Sequence, residues 1–159
     1  MKLEGRTKQG GDIEKGMECA VADIIETYRQ GFLQLDPKRV MSIWDHGYHP
    51  LVYVAMERLE PIYGWAAIER YIAALPEHLE KVEAKKLDDV RIALLNDTAM
   101  VFFRFHSIVK LKGHEGLYQP AGRVTMLLRR TSDGWRVIHF HESALAAQAA
   151  DAVAARAAV

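Results

Sequence analysis

The stretch Gly122-Arg123-Val124-Thr125-Met126-Leu127-Leu128-Arg129-Arg130-Thr131-Ser132-Asp133-Gly134-Trp135-Arg136-Val137-Ile138-His139-Phe140-His141-Glu142-Ser143 reads as two strands folded about Asp133-Gly134. Asp-Gly tolerates the positive φ that a tight hairpin requires, and the turn decides which side chains share a face. With Asp133-Gly134 as a two-residue loop, Ser132 lies opposite Trp135, Leu128 opposite His139 and Met126 opposite His141 on one face. The other face then pairs Arg129 with Ile138, Leu127 with Phe140 and Thr125 with Glu142, with Arg123 diagonal to the acid. A three-residue loop, Ser132-Asp133-Gly134, instead moves Thr125 and Arg123 to the side of His139 and His141. In the first register the face that carries Glu142 is apolar in its middle and polar at one end, which suits the wall of a pocket.

Upstream, Ala99, Val101, Phe103, Phe105, Ser107, Val109 and Leu111 alternate along a strand predicted over about Ala99–Leu111, so Phe103 and Phe105 point inward. A strand over about Val82–Leu95 precedes it, with Asn96-Asp97 as the turn between them. Before these come Leu51–Ala55, a short strand by its β-branched and aromatic content, and three helices. The first carries a stripe of Met17, Val21, Ile24, Ile25, Tyr28, Phe32 and Leu35. The second runs from about Pro37 to Trp44, set off by Asp36-Pro37, and the third from Trp65 to Leu75, closed by Pro76. Helices followed by consecutive long strands indicate an α+β fold: one cone-shaped domain over 17–144, with N-terminal helices packed on one face of a curved, mostly antiparallel sheet. Residues 1–16 read as a polar tail and 145–159 as an Ala-rich helical extension.

The chain has 159 residues, half of them hydrophobic, with 21 basic residues balancing 21 acidic ones. That size fits a single core, and the balance offers no general attraction to nucleic acid. Cys19 stands alone, so no disulfide framework forms within the chain, and it is expected to be a small buried residue on the first helix. No stretch reaches the length of a membrane span and no export signal is visible, so no membrane association and a cytoplasmic location are expected.

Arg129-Arg130, Asp133-Gly134-Trp135 and Val137-Ile138-His139-Phe140-His141-Glu142-Ser143, with Pro61, Gly64 and Ala67-Ile68 at the start of the third helix, resemble the nuclear-transport-factor-two-like, or SnoaL-like, superfamily over about Met17 to Ala144. Within it they look most like the association, or hub, domain of calcium/calmodulin-dependent kinase type two and its bacterial relatives. The resemblance implies a cone-shaped fold, a homodimer or larger homo-oligomer, and an interior used for isomerases, cyclases, dehydratases or plain ligand binding. The hub domain's pocket arginines take small carboxylates. One of them follows the His-Phe-His motif, where this chain has Glu142; another aligns with Thr125, and a third falls near Phe105, beside Arg104. Arg123 is then the remaining anchor.

Glu142 is accordingly the candidate acid or base, because burial raises a carboxyl toward the range useful for proton transfer. Tyr53 is a candidate hydrogen-bond donor to a carbonyl ligand. Arg123, Thr125, Phe103, Phe105, Leu127, Phe140 and Trp44 are expected to line the ligand site. His139 and His141, at strand spacing and with His106 a possible companion, have the chemistry of zinc ligands. They face away from Phe103 and Phe105, however, and are read as an interface or solvated face, with no metal. His46 and His49 sit in a loop beside Trp44, which either roofs the cavity or, as is commoner, is a polar surface loop. The expected function is small-molecule binding in an apolar pocket, with cofactor-free acid/base chemistry of the isomerase, cyclase or dehydratase type where catalysis exists. The alternative is a non-catalytic oligomeric hub module.

Overall fold

The computed structural model describes residues 6–145. In chain order its elements are α1 (Arg6–Leu33), α2 (Pro37–Met41), β1 (Val52–Val54), β2 (Ile62–Tyr63), α3 (Trp65–Ala73), α4 (Leu75–His78), β3 (Leu79–Leu95), β4 (Thr98–Leu111), β5 (Ala121–Thr131) and β6 (Gly134–Ala144). The expected Ala-rich helix lies outside the described residues, apart from Leu145. The strands form one six-stranded sheet in the order β2-β1-β6-β5-β4-β3, antiparallel except for the parallel pair β1–β6. Helices cover one side of this curved, open sheet, so the fold is α+β as expected. No helix among the described residues is long and apolar enough to cross a membrane.

Helix α1 starts earlier than its apolar stripe does. It begins at Arg6 rather than near Met17, but residues 11–16 are exposed. Its buried contacts begin at Val21 and continue through Ile25 and Tyr28. Cys19 is exposed on this helix and not buried as expected, because it falls off that stripe. Asp36 caps α2, accepting a hydrogen bond from the Arg39 backbone N–H at 3.2 Å, with Pro37 in the first turn. Pro76 does not simply end α3: it sits in the first turn of the short α4, where its missing N–H costs nothing.

The decisive hairpin differs from the first register. Thr131 pairs with Gly134, so the two loop residues are Ser132 and Asp133. Thr131 Oγ1 accepts from the Asp133 N–H at 3.2 Å and donates to the Gly134 carbonyl at 2.8 Å, and Gly134 takes the positive φ, 105°. Leu128 then pairs with Val137 but Leu127 with His139, leaving Ile138 as the extra residue of a β-bulge. The bulge reverses the alternation, so Val137 and Phe140, three apart, both face inward, and Glu142 follows. Beyond it the facing is that of the three-residue-loop alternative: Thr125 is opposite His141, and Val124 is opposite Glu142.

Strand β4 alternates as its sequence predicts, with Ala99, Val101, Phe103, Phe105, Ser107 and Val109 buried. Gly122 lies opposite Phe105, and a Cβ there would come within 2.6 Å of the Ser143 carbonyl oxygen and 2.9 Å of the Phe105 ring. That absent methyl leaves room for the Phe105 ring beside the β5 backbone.

Candidate functional site

A cavity of about 720 Å³ lies between the concave face of the sheet, α3 and α4. Tyr53, Phe105, Ser107, Lys85 and Glu142 come from strands, Phe32 from α1, and Tyr71, Leu75 and His78 from α3 and α4. Its size and mostly apolar walls suit a compact organic molecule.

Glu142 projects into this space from β6 at 8% exposure. Tyr28 Oη donates toward Glu142 Oε1 at 3.5 Å, a long hydrogen bond. Burial pushes the carboxyl up to about 7; the Lys85 charge, the Met56 backbone N–H and the Tyr28 hydroxyl hold it down, while the Glu57 charge adds to the rise. Near neutrality Glu142 is thus divided between acid and carboxylate, the condition for giving and taking protons.

Tyr53 is buried beside it. Its ring stacks on Phe140 at 4.9 Å and 15°, a neighbour fixed by the parallel pairing of Tyr53 with Phe140. Burial, then the Glu142 charge, raises the phenols of both Tyr53 and Tyr28 well above their ordinary range, so both stay protonated as donors. Tyr71 is raised in the same way, by burial first and then by Glu57, whose carboxylate accepts its hydroxyl.

Lys85, from β3, is 7% exposed. Its Nζ sits 4.5 Å from the Phe105 ring centroid, 4.7 Å from Phe32 and 5.1 Å from Tyr28. Burial pulls its ammonium down to about 8, opposed by the Glu142 charge.

The structure brings together some of the residues singled out from sequence and separates others. Glu142, Tyr53 and Phe105 line the cavity. Phe103 and Phe140 are buried behind it, packed on Tyr28 at 5.9 and 5.2 Å. Trp44 is also buried behind the wall, 5.8 Å from Tyr53, and is not a lining residue.

Arg123, Thr125 and Leu127 need correction. The bulge places them with His139 and His141 on the convex face, away from Glu142. Arg123 is exposed there, and its guanidinium donates to the Ala144 carbonyl at 3.2 Å. His106 is exposed on the same face; the His139 and His141 rings are 6.4 Å apart, and burial followed by the His141 charge lowers His139. His46 stacks on Trp65 at 3.8 Å and does not line the cavity.

Sequence reasoning missed Lys85, and it read Tyr28 only as packing. Lys85 is a charged residue within a strand whose register shifts between Val82 and Ala84. Simple alternation therefore could not assign its face. The one available signal was its position three residues after Val82, which is also buried.

The family model described as SnoaL-like domain matches residues 21–147, and the chain belongs to that family. No curated protein matches. Among solved structures, a proposed dehydratase of the NTF2-like family from Streptomyces avermitilis superposes with a TM-score of 0.73 at 19% identity, covering 82% of this chain and 98% of that one. A proposed scytalone dehydratase from Novosphingobium aromaticivorans gives 0.75 at 9% identity, over 85% and 88% of the two chains. A type 2 hexachlorocyclohexane dehydrochlorinase gives 0.70 at 12% identity, over 82% and 86%. At these identities the likeness is one of fold.

Proposed function

We propose that this member of the SnoaL-like family binds a compact, partly apolar molecule in the cavity and acts on it by cofactor-free proton transfer, of the isomerase, cyclase or dehydratase type. The observation that carries this reading is Glu142, a buried carboxyl held at about 7 on the wall of an apolar cavity beside the Tyr53 phenol. In its ionised form Glu142 takes a proton from a carbon made acidic by an adjacent carbonyl. The Tyr53 hydroxyl donates to the carbonyl oxygen as negative charge develops there. Glu142 then returns the proton, to a second carbon in isomerisation or to a departing hydroxyl in dehydration, and so regains its starting state. Phe105 and the aromatic layer behind it exclude water from the reacting atoms. The structural neighbours, two proposed dehydratases and a dehydrochlorinase, are named for eliminations, and support this reading as fold-level analogy.

A melting-shift screen of small ketones, hydroxy-ketones and sterol-like compounds identifies the ligand class by stabilisation of the folded chain. For any compound turned over, Glu142→Gln lowers kcat by roughly 10²–10⁴-fold with the fold intact by circular dichroism. Unaltered turnover in that variant removes Glu142 from the mechanism.

A further inference from the structure

Lys85 is the second buried ionisable group on the cavity wall, and the chemistry above does not use it. Among the described residues its Nζ makes no hydrogen bond and no ion pair. Nor is it sealed, since among the described residues no fully buried side-chain nitrogen or oxygen lacks a hydrogen-bond partner. The amine therefore keeps accessible surface, and Lys85 lines the cavity together with Phe32 and Phe105, two of the rings around its Nζ. Three aromatic rings surround it at 4.5–5.1 Å, and the Glu142 carboxyl shares its space.

A structural lysine at such a depth is normally neutralised by a carboxylate within contact distance. This one has no such partner and sits in an apolar aromatic pocket, where burial favours its neutral form and so its attack on carbonyl carbon. We propose that Lys85 forms a covalent imine with an aldehyde or ketone ligand that has a planar, apolar body. The inference rests on the reading of the cavity as a ligand site, but not on Glu142 being the base of the reaction proposed above.

The step balances within the site. The neutral amine's lone pair attacks the carbonyl carbon, the C=O π pair moves to oxygen, and a proton passes from nitrogen to oxygen to give a carbinolamine. The carboxylic acid form of Glu142 protonates the carbinolamine hydroxyl, which leaves as water while the nitrogen lone pair closes the C=N bond. The resulting iminium is a cation where the ammonium was, and the same three rings stabilise it. Hydrolysis reverses each event. With the ammonium near 8, roughly a tenth of the amine is neutral at pH 7, against about one part in three thousand for an ordinary lysine.

The test uses the full chain, 2-naphthaldehyde as probe and sodium cyanoborohydride as trapping reductant at pH 7, with peptide mass mapping of naphthylmethylated lysines. The expected result is labelling of Lys85 at least ~10-fold faster than of any other lysine, from its larger neutral fraction. Lys85→Met loses this label and keeps the others. The wild-type result stands whether or not that variant folds.

2-Naphthalenemethanol, which has no carbonyl, is run beside the aldehyde in a melting-shift assay and as a competitor of labelling. If the alcohol stabilises the protein yet Lys85 is labelled no faster than surface lysines, the imine is overturned and the cavity reading stands. If neither compound shifts melting and Lys85 is unlabelled, both fall. Selective labelling of Lys85 that the alcohol suppresses supports both.

Discussion

Tyr28 Oη reaches Glu142 Oε1 at 3.5 Å, tying the C-terminal part of α1 to the end of β6 across 114 residues of sequence. This contact links the helix layer to the group proposed to move protons, so each side is a probe of the other. Tyr28→Phe removes the hydroxyl that helps hold Glu142 down, while the ring keeps its packing on Phe32, Phe103 and Phe140. The Glu142 carboxyl should therefore titrate above 7 in this variant, at a stability cost below about 1 kcal/mol because the bond is long. Carboxyl NMR titration and a thermal melt check the two parts, and a downward shift contradicts the assignment.

The two buried charges give stability an unusual pH dependence. Glu142 is raised from its ordinary 4.5 to about 7, so between those values the folded chain holds a proton that the unfolded chain has lost, and stability falls as pH rises. Lys85 is lowered from 10.5 to about 8, so between about 8 and 10.5 the unfolded chain holds the extra proton, and stability rises with pH. Their combined contribution is lowest between about 7 and about 8, by at most about 3 kcal/mol from each group. Melting temperatures across pH 5–10 should show this trough, with Glu142→Gln flattening its acid limb and Lys85→Met its alkaline limb. A maximum in that window would mean that mutual attraction outweighs burial.

Deleting Ile138 tests the bulge. Joining Val137 directly to His139 would remove the bulge and keep every pairing on either side of it, with Val137, Phe140 and Glu142 inward and His139 and His141 outward. The expected outcome is a chain that still melts cooperatively, because Phe140 and Glu142 stay inward. Ile138→Val, which keeps the residue count, should cost about 1 kcal/mol. Loss of the cooperative transition would show that the local bend of the bulge, and not only the facing beyond it, is needed to close the sheet.

Arg123→Ala should leave ligand-induced melting shifts unchanged, because that guanidinium is exposed on the convex face. Its effect on stability should lie within about 0.5 kcal/mol. Tyr53→Phe, on the cavity wall, should instead weaken the shift produced by a carbonyl compound. Equal effects from both variants would place the ligand elsewhere than the cavity.

Much of this architecture is written locally. The alternation of Ala99 to Val109 sets the inward face of β4, the Val21–Tyr28 stripe sets the buried side of α1, and Asp36-Pro37 sets the break before α2; each depends on neighbours a few residues away. The inward direction of Phe140 and Glu142 was also expected, but from a register that put the wrong β5 residues beside them. A single unpaired residue, Ile138, inverts every partner beyond it, and neither propensity nor turn chemistry marks where a strand will bulge. Lys85 escaped notice for the same reason, since shifts in β3 decide its face. The sequence by itself determined the layers and the aromatic interior. Only the tertiary structure decided that an acid from β6, an amine from β3 and two phenols from β1 and α3 meet around one cavity, because burial and proximity among residues so far apart exist only once the sheet has curved and the helices have closed over it.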